Sequence, residues 1–390
     1  LSFQDAKNFI GRKKMVKTNI HAKEWTDTVA YFAVIIKHDS KFPEVLKVAK
    51  GHKFDKRQLA FYRNNILMKS TNSRSYQTLW AKIDSALGNI STVYFMPDGI
   101  YHKINPSTLQ ISDSVFLLQK KRIFLLSDAT LDKKSKQTLG KKALLIGNPD
   151  FDYNIFKESS DFLKAEKSIE KDLERALNSG SGSVQKLEGT KNEITKVEKL
   201  LAAKGFETKI LSEKNAQESK LKQNLKSNII HIATHGYFDI SEQDSTGLLS
   251  GSEYFTSGLL LAGSNYALNQ APIHGFPQDG VISSYEILNY DMKATDLVVL
   301  SACETGLGVD VNGNGIFGLQ RALAIAGTKN IIMSLWKVSD QATSELMSHF
   351  YTYLVSSKDI KESFQKAQLK LKEKYPEPYY WGAFVLLTNN

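Results

Sequence analysis

The sequence predicts an α/β protein built around a mostly parallel β-sheet that is covered by helices. Three observations predict this class. Strand patterns alternate with helical patterns of ten or more residues along the second half of the chain. The runs NIIHIA, DLVVLSA and NIIMSLW are almost continuously apolar, as expected of strands that are buried on both faces. The chain has 390 residues, of which 42% are hydrophobic, so it can bury a large core.

The first half of the chain is predicted to form an amino-terminal α/β lobe over residues 1–180. Its predicted elements are a strand at 29–37, helices at 54–67 and 75–87, strands at 91–99, 121–128 and 141–149, and a helix at 158–178. The stretch SGSGS at 179–183 is typical of a flexible linker. It places a boundary before a second lobe over residues 184–390.

The second lobe alternates more regularly between helix and strand. Its predicted elements are a helix at 191–204, a strand at 206–211, a helix at 215–226, a strand at 228–233, a helix at 283–289, a strand at 296–302, a helix at 316–327, a strand at 330–336 and two helices between 340 and 374. In parallel sheets the chemistry lies in loops beyond the carboxyl ends of the strands. His235 and Cys303 both follow predicted strands at that edge.

Cys303 is the only cysteine in the sequence. If strands 228–233 and 296–302 are neighbours, about 4.8 Å apart, the thiol of Cys303 and the imidazole of His235 share one crevice. The histidine would then activate the thiol and later protonate a leaving amine. The backbone N–H groups of Gly236 and Cys303 would form an oxyanion hole. The alternative is that both side chains are structural, since a lone cysteine is often a small packed residue.

Three further patterns resemble binding motifs, and each lacks a required part. The glycines of G-x-G-x-x-G at 313–318 begin well after the preceding strand. D-x-N-x-N-G at 310–315 has Arg321 where a calcium loop needs glutamate. His231 and His235 lack the glutamate of the zinc-protease motif and lie on a predicted strand. The sequence therefore predicts neither a cofactor nor a metal, and nucleotide binding through GNGIFG ranks last among the alternatives.

The net charge of +10 comes mostly from lysines that are spread along predicted helices. Nucleic-acid modules more often cluster arginine and exposed aromatics on one face, so we expect no nucleic-acid ligand. No window approaches the ~20 apolar residues of a membrane-spanning helix, so we expect no membrane contact. A single cysteine and the lack of a secretory pattern predict a cytoplasmic protein.

Several motifs follow one another along the chain in a recognisable order. They are SFQDAKNFI, MPDGIYHKINPSTL, IGNPDF, IIHIATHGYF, SGLLLAG, DGVISSYEI, DLVVLSACETGLG, GIFGLQRALAIAGTKNIIMSLWKVSDQATSELMSHFYTYL and YYWGAFVLL. Together these motifs resemble CHAT domains, which are caspase-like peptidases commonly fused to tetratricopeptide repeats and related to separases. The resemblance covers nearly the whole chain.

The resemblance implies a caspase-like fold with an amino-terminal pseudo-caspase-like lobe. It also implies a cysteine endopeptidase that cleaves a specific partner protein through His235 and Cys303, with the amides of Gly236 and Cys303 as the oxyanion hole. A regulatory protein or a tetratricopeptide-repeat region is the expected partner besides the substrate. A caspase-like module that binds without cleaving is the alternative.

In caspase-like folds the strand that corresponds to MSLW borders the substrate channel, where an extended substrate adds as a further strand. The candidate substrate-binding residues implied by the resemblance are Ser301, Ser334, Leu335, Trp336, Lys337 and Asp340.

The sequence leaves the P1 preference open. Ser301 stands where relatives that cut after arginine or lysine have an acidic residue, and Lys337 stands where separases have one. The chain starts at Leu1 and contains no tetratricopeptide repeat, so we expect an excised peptidase domain or a short homologue.

Overall fold

The computed structural model describes residues 30–50, 52–127, 139–154, 184–238, 257–265, 278–302, 309–311 and 315–389. The strands in these ranges are β1 (Ala30–Ile35), β2 (Glu44–Lys50), β3 (Thr92–Phe95), β4 (Gln110–Ser112), β5 (Val115–Phe116), β6 (Arg122–Leu126), β7 (Lys142–Pro149), β8 (Glu207–Glu213), β9 (Ile229–Ala233), β10 (Gly236–Phe238), β11 (Ser257–Leu260), β12 (Val281–Ser283), β13 (Leu297–Leu300), β14 (Val309–Val311), β15 (Gly315–Phe317), β16 (Asn330–Ser334) and β17 (Phe384–Thr388).

The helices in the same ranges are α1 (His52–Leu67), α2 (Arg74–Leu79), α3 (Ala81–Leu87), α4 (Glu188–Ala202), α5 (Glu218–Lys222), α6 (Ser284–Ile287), α7 (Leu319–Ile325), α8 (Asp340–Ser357), α9 (Ile360–Lys374) and α10 (Pro378–Trp381). Short 3₁₀ helices lie at Gly99–Lys103, Pro106–Thr108 and Leu117–Gln119.

Eight of the described strands form one sheet in the order β3-β6-β17-β16-β13-β9-β7-β8. β16 and β17 are antiparallel, and every other neighbouring pair in this sheet is parallel. The predicted α/β fold with a mostly parallel sheet is therefore confirmed.

The central strands are buried because their sequences carry apolar side chains on both faces. Every residue of β9, β13 and β16 is buried, although successive side chains of a strand point to opposite faces. Layers of helix and loop therefore cover both faces of the sheet here. On one face, α4 packs on β7 and α8, and α8 packs on α9. Gly147 in β7 allows this close approach, since a Cβ there would lie 2.9 Å from Ile194 of α4.

The sheet order reverses between β7 and β9. β7 leads through α4 to β8 on its outer side, and β8 leads through α5 to β9 on its inner side. Ligands in open α/β sheets bind beyond the carboxyl ends of the strands near such a reversal.

Several predicted element boundaries were wrong. The helix expected at 75–87 is two helices, α2 and α3, that are separated at Trp80. The helix expected at 215–226 is reduced to α5, and the helix expected at 316–327 begins at Leu319 because the preceding residues form β15. The helix expected at 158–178 and the linker at 179–183 lie outside the described residues.

Strands from both predicted lobes share the large sheet. β3, β6 and β7 precede residue 180, whereas β8, β9, β13, β16 and β17 follow residue 184. β7 lies between β8 and β9, and β6 pairs with β17. The division at 1–180 and 184–390 stays a prediction.

Smaller sheets lie beside the large one. β10, β11 and β12 form an antiparallel sheet in that order, and β1–β2, β4–β5 and β14–β15 form antiparallel pairs. None of the helices described above is both long and apolar enough to span a bilayer.

Candidate active site

The strands that precede His235 and Cys303 are parallel neighbours, which is the condition for a dyad stated above. Leu297 of β13 pairs with Ile229 of β9, and Leu300 pairs with Ile232. The N–H of Ser301 donates to the carbonyl of Ile232 over 2.9 Å, so the pairing continues one residue beyond β13. Ser301 and Ala302 are both buried at this end of the sheet. Cys303 is the next residue in the sequence and lies outside the described residues.

His235 follows β9 and is partly exposed. Its Nε2 lies 2.9 Å from the backbone carbonyl of Gln185, which can only accept a hydrogen bond. Nε2 therefore carries the proton in the neutral ring, and Nδ1 keeps its lone pair. The ring of Phe151 packs against the imidazole with 5.4 Å between ring centroids. One hydrogen bond and one ring contact thus set both the tautomer and the orientation of His235.

Asn265 anchors both groups that hold His235. Its backbone N–H donates to the carbonyl of Phe151, and its side-chain oxygen accepts from the N–H of Val184, next to Gln185. Its side-chain nitrogen donates to Asp152 and to the carbonyl of Val184. Asn265 is 1% exposed, so these hydrogen bonds form away from competing water. No local sequence pattern marks this asparagine as part of the site.

The backbone N–H of Gly236, next to His235, points away from β11. The His235 carbonyl accepts from the N–H of Leu260, so these two residues form a hydrogen-bonded pair of the β10–β11 ladder. Gly236 pairs with Leu259 at the alternate position, where backbone groups point away from the partner strand. No described residue accepts a hydrogen bond from the Gly236 N–H.

The end of β16 lies on the other side of β13. Ser334 Oγ donates to the carbonyl of Ala302 over 2.6 Å, which joins the two strand ends. The N–H of Leu335 donates to the carbonyl of Ala383, and Trp336 Nε1 donates to the carbonyl of Tyr379. Among the described residues, no backbone partner is found for Trp336 or Lys337.

A cavity of about 210 Å³ opens at this edge of the sheet. Six residues singled out from the sequence line it, namely His235, Ser301, Ser334, Trp336, Lys337 and Asp340. Leu335 and Gly236 do not line it. The start of α4 forms another wall, which the sequence analysis missed, through Leu187, Gly189, Thr190 and Glu193.

Glu193 is tied to a buried histidine beneath the cavity. His231 Nε2 lies 2.8 Å from Glu193 Oε1, and His231 Nδ1 lies 3.1 Å from the Tyr351 hydroxyl. Burial, with the nearby Glu193 carboxylate, raises the pKa of Tyr351 well above its usual value, so this hydroxyl stays protonated and can donate to Nδ1. His231 Nε2 donates to the Glu193 carboxylate, which can only accept. His231 is therefore held by Glu193 and Tyr351 and does not pair with His235.

Glu218 and Lys222 of α5 form a second group of ionisable residues with Glu286 of α6. Glu218 is 2% exposed, and Lys222 Nζ lies 3.2 Å from its Oε2. Lys222 also lies 3.6 Å from Glu286 Oε1. Burial and the negative charge of Glu286 raise the pKa of Glu218 from 4.5 to about 8, against the opposing effect of Lys222. Glu218 therefore holds a proton near neutral pH.

Within the described part of the chain, no three His, Cys, Asp or Glu side chains are grouped so that they could hold a metal ion. The loop of the candidate calcium and nucleotide motifs includes residues 312–314, which lie outside the described residues.

The CHAT domain family matches residues 71–389. Among solved structures, the chain is similar to the Arg specific cysteine proteinase gingipain R, with 10% identity, a TM-score of 0.45, and coverage of 86% of this chain and 67% of that chain. The complex of Porphyromonas gingivalis RgpB pro- and mature domains gives 10% identity, a TM-score of 0.44, and coverage of 87% and 77%. The Saccharomyces cerevisiae separase–securin complex gives 12% identity, a TM-score of 0.39, and coverage of 76% and 15%. A search of curated proteins finds no match.

Proposed function

The chain belongs to the CHAT domain family, and from this premise we propose that it is a cysteine endopeptidase with His235 and Cys303 as its catalytic dyad. The observation that carries the proposal is the state of His235. Its Nε2 is bound by the Gln185 carbonyl, which leaves Nδ1 without the proton and without a partner among the described residues, at the edge of the sheet where the sequence continues from Ala302 to Cys303.

The strand register supports the pairing of these two residues. Partner residues of β13 and β9, such as Leu297 and Ile229, differ by 68 in residue number. Cys303 and His235 differ by the same number. An extension of this register by three residues beyond Leu300 and Ile232 would align Cys303 with His235. Neighbouring strands lie about 4.8 Å apart, which is within reach of a thiol and an imidazole.

In the proposed reaction, His235 Nδ1 accepts the thiol proton while the sulfur of Cys303 bonds to the carbonyl carbon of the scissile peptide. The carbonyl oxygen becomes an oxyanion, and the N–H groups of Gly236 and Cys303 stabilise it. His235 then gives the proton to the leaving amine as the C–N bond breaks. Water, deprotonated by His235, hydrolyses the acyl-enzyme and restores the thiol.

An extended peptide is the proposed form of the substrate. Trp336 and Lys337 follow β16, and their backbone groups, which have no backbone partner among the described residues, suit β-augmentation. Leu335 contributes less to such pairing because its N–H is already bonded to Ala383. Ser301, Ser334 and Asp340 contribute to the cavity that would receive a substrate side chain.

A specific protein is the proposed substrate, and a regulatory partner or a tetratricopeptide-repeat region is the proposed control element. Both parts of the proposal rest on family membership. We place the activity in the cytoplasm, because a single cysteine fits a reducing compartment.

Thiol labelling tests the dyad. A peptide-bearing electrophile should modify Cys303 of the unaltered protein quickly, and a single cysteine makes the mass change unambiguous. At pH 7, His235→Ala should slow labelling by about tenfold or more, since the isolated thiol is only a few per cent thiolate. At pH 9.5 the difference should shrink, because the thiol then ionises without a base.

His38→Ala is the matched control, because His38 is exposed on the β1–β2 hairpin. It should label at the wild-type rate. If His235→Ala labels as fast as wild type at pH 7, His235 is not the base. A protein that labels normally but cuts no peptide would be a binding module with the same fold.

A further inference from the structure

The motif SGLLLAG begins a buried segment, residues 257–265, which we call the strap. Every residue of the strap is buried, and the segment includes β11. Its backbone N–H groups donate to carbonyls of four other parts of the chain. These hydrogen bonds join Leu260 to His235, Leu261 to Gly280, Ala262 to Ala216, Gly263 to Asp150 and Asn265 to Phe151. The strap is therefore fixed on several sides and gives His235 a rigid support.

At the end of the strap, the side chain of Asn265 binds both backbone groups of Val184. Its Oδ1 accepts from the Val184 N–H over 2.8 Å, and its Nδ2 donates to the Val184 carbonyl over 3.2 Å. Nδ2 also donates to Asp152 Oδ1 over 2.6 Å. The opposite orientation of the amide would bring its NH₂ group against an N–H and its oxygen against a carboxylate. The carboxamide therefore has one orientation and pairs with Val184 as a neighbouring strand would.

This pairing fixes the segment that binds His235. Among hydrogen bonds between described residues, the backbone of Val184 forms only those with Asn265. Gln185 comes next, is exposed, and accepts from His235 Nε2 through its carbonyl. The ion pair of Lys186 lies at the surface, so it holds the segment only weakly. Loss of the Asn265 side chain would therefore release the carbonyl that selects the tautomer of His235.

The second contact of His235 depends on the backbone of Asn265. The Asn265 N–H donates to the Phe151 carbonyl over 3.0 Å, and the Phe151 ring packs on the imidazole. Phe151 is 1% exposed, so close packing also holds its ring. A substitution at position 265 keeps this backbone hydrogen bond. It should therefore affect the hydrogen bond at Nε2 and leave the ring contact in place.

We propose that Asn265 is the positioning residue of the dyad, acting through the Gln185 carbonyl to keep the proton of neutral His235 on Nε2 and to leave Nδ1 as the base. The inference rests on the proposed peptidase function for the use of that base. Control of the His235 tautomer by Asn265 does not depend on cleavage.

The ring nitrogens of His235 report the tautomer directly. The full chain is labelled with ¹⁵N-histidine and its NMR spectrum is recorded at pH 8.5, above the range in which free imidazoles titrate. The chain has eight histidines, so His235→Gln identifies the signals of this one. Wild type should show the tautomer with the proton on Nε2. Asn265→Ala should show a mixture of both tautomers, because the Gln185 carbonyl is no longer held.

Asn265→Asp is a second variant with nearly the same shape. Its new carboxylate cannot donate to the Val184 carbonyl and repels Asp152, so it should shift the tautomer as Asn265→Ala does. Addition of Asp152→Asn, at an exposed position, removes the repulsion and should restore most of the wild-type spectrum. Electrophile labelling of Cys303 at pH 7 should slow by about tenfold in both single variants of Asn265 and recover in the double variant.

Asn330→Asp is the matched control. Asn330 is 4% exposed and its side chain forms two hydrogen bonds between described residues, but it begins β16 at the opposite end of the sheet. This variant should lower the melting temperature, because its buried hydrogen bonds change. It should keep the wild-type tautomer of His235 and the wild-type labelling rate.

The two readouts separate this inference from the proposed function. An unchanged tautomer in both variants of Asn265, or an equal change in Asn330→Asp, would overturn the inference. A changed tautomer, with labelling of Cys303 that neither the Asn265 variants nor His235→Ala slow, would overturn the dyad and leave the positioning of His235 in place. A changed tautomer together with slower labelling supports both.

Discussion

At the scale of single residues, the chemistry of the site depends on how firmly His235 is held. Its ring has one fixed proton, on the nitrogen that faces Gln185, and one face that packs on Phe151. Asn265 fixes both of these neighbours through buried hydrogen bonds. The free nitrogen therefore has a defined direction before any substrate binds, which lowers the cost of reaching the reactive arrangement.

The residues predicted from sequence were those with a signal in the chain itself. His235 follows an apolar strand and is next to a glycine, so both its place and its neighbour could be recognised. Glu193 and Asn265 gave no such signal, because a glutamate on a lysine-rich helix and an asparagine in a loop are usually solvated. Their burial depends on the packing of α4 against β9 and on the loop at Phe151, which no local pattern encodes.

Glu218 supplies a prediction about pH and stability. The pKa of Glu218 is about 8 in the folded protein, whereas an unperturbed glutamate has a pKa of 4.5, so the folded protein binds the proton more tightly than the unfolded chain. The stabilisation by this proton is complete below pH 4.5 and is lost as pH rises through 8. Glu218→Gln keeps a neutral side chain at every pH. The melting temperature of this variant should therefore equal or exceed that of wild type at pH 8.5, and the difference in its favour should be smaller at pH 5.

Melting curves at the two pH values check this expectation. Glu188→Gln is the control, because Glu188 is exposed and its substitution should have the same small effect at both. If wild type and Glu218→Gln lose stability in parallel between pH 5 and pH 8.5, Glu218 does not hold a proton in the fold.

At the scale of elements, the periodicity of the sequence showed which segments form strands more accurately than it showed where helices begin and end. β9, β13 and β16 are buried on both faces, and their apolar runs identified them. The helix expected at 316–327 begins later because Gly315–Phe317 pairs with Val309–Val311 as β15 and β14. That pairing is a tertiary contact, and it overrides the helical propensity of the segment.

Helix α8 gives a prediction at this scale. Ser339 Oγ accepts from the N–H of Ala342 and caps the helix whose first residue is Asp340. Ser339→Ala should lower the free energy of unfolding by about 1 kcal/mol, the usual effect of removing a cap. Denaturant unfolding measures this change.

The matched control is Asp359→Ala, which removes the cap of α9 from Glu362. It should lower stability by a similar amount. An unchanged stability of Ser339→Ala beside a destabilised Asp359→Ala would argue against the role of Ser339 as a cap.

At the scale of the whole molecule, one sheet joins the two halves of the chain. β7 comes from the first half and lies between β8 and β9, next to the strand that precedes His235. β6 pairs with β17, and Asn105 donates to the carbonyl of Gly382. The composition of the linker at 179–183 predicted a boundary there, but composition carries no information on which strands pair across it.

The sheet order also explains where the cavity lies. The order reverses between β7 and β9, and the cavity opens beyond the carboxyl ends of β9 and β13 beside that reversal. Both strands could be predicted from sequence, whereas their neighbourhood was only a condition on which the dyad depended. The register of β13 with β9 meets that condition.

The most direct test of the central claim is a peptide-library cleavage profile compared between the wild-type chain and Cys303→Ala. We expect wild type to cut, Cys303→Ala to leave every peptide intact, and the two melting temperatures to agree closely. Equal cleavage by the two proteins would contradict the assignment of Cys303 as the nucleophile.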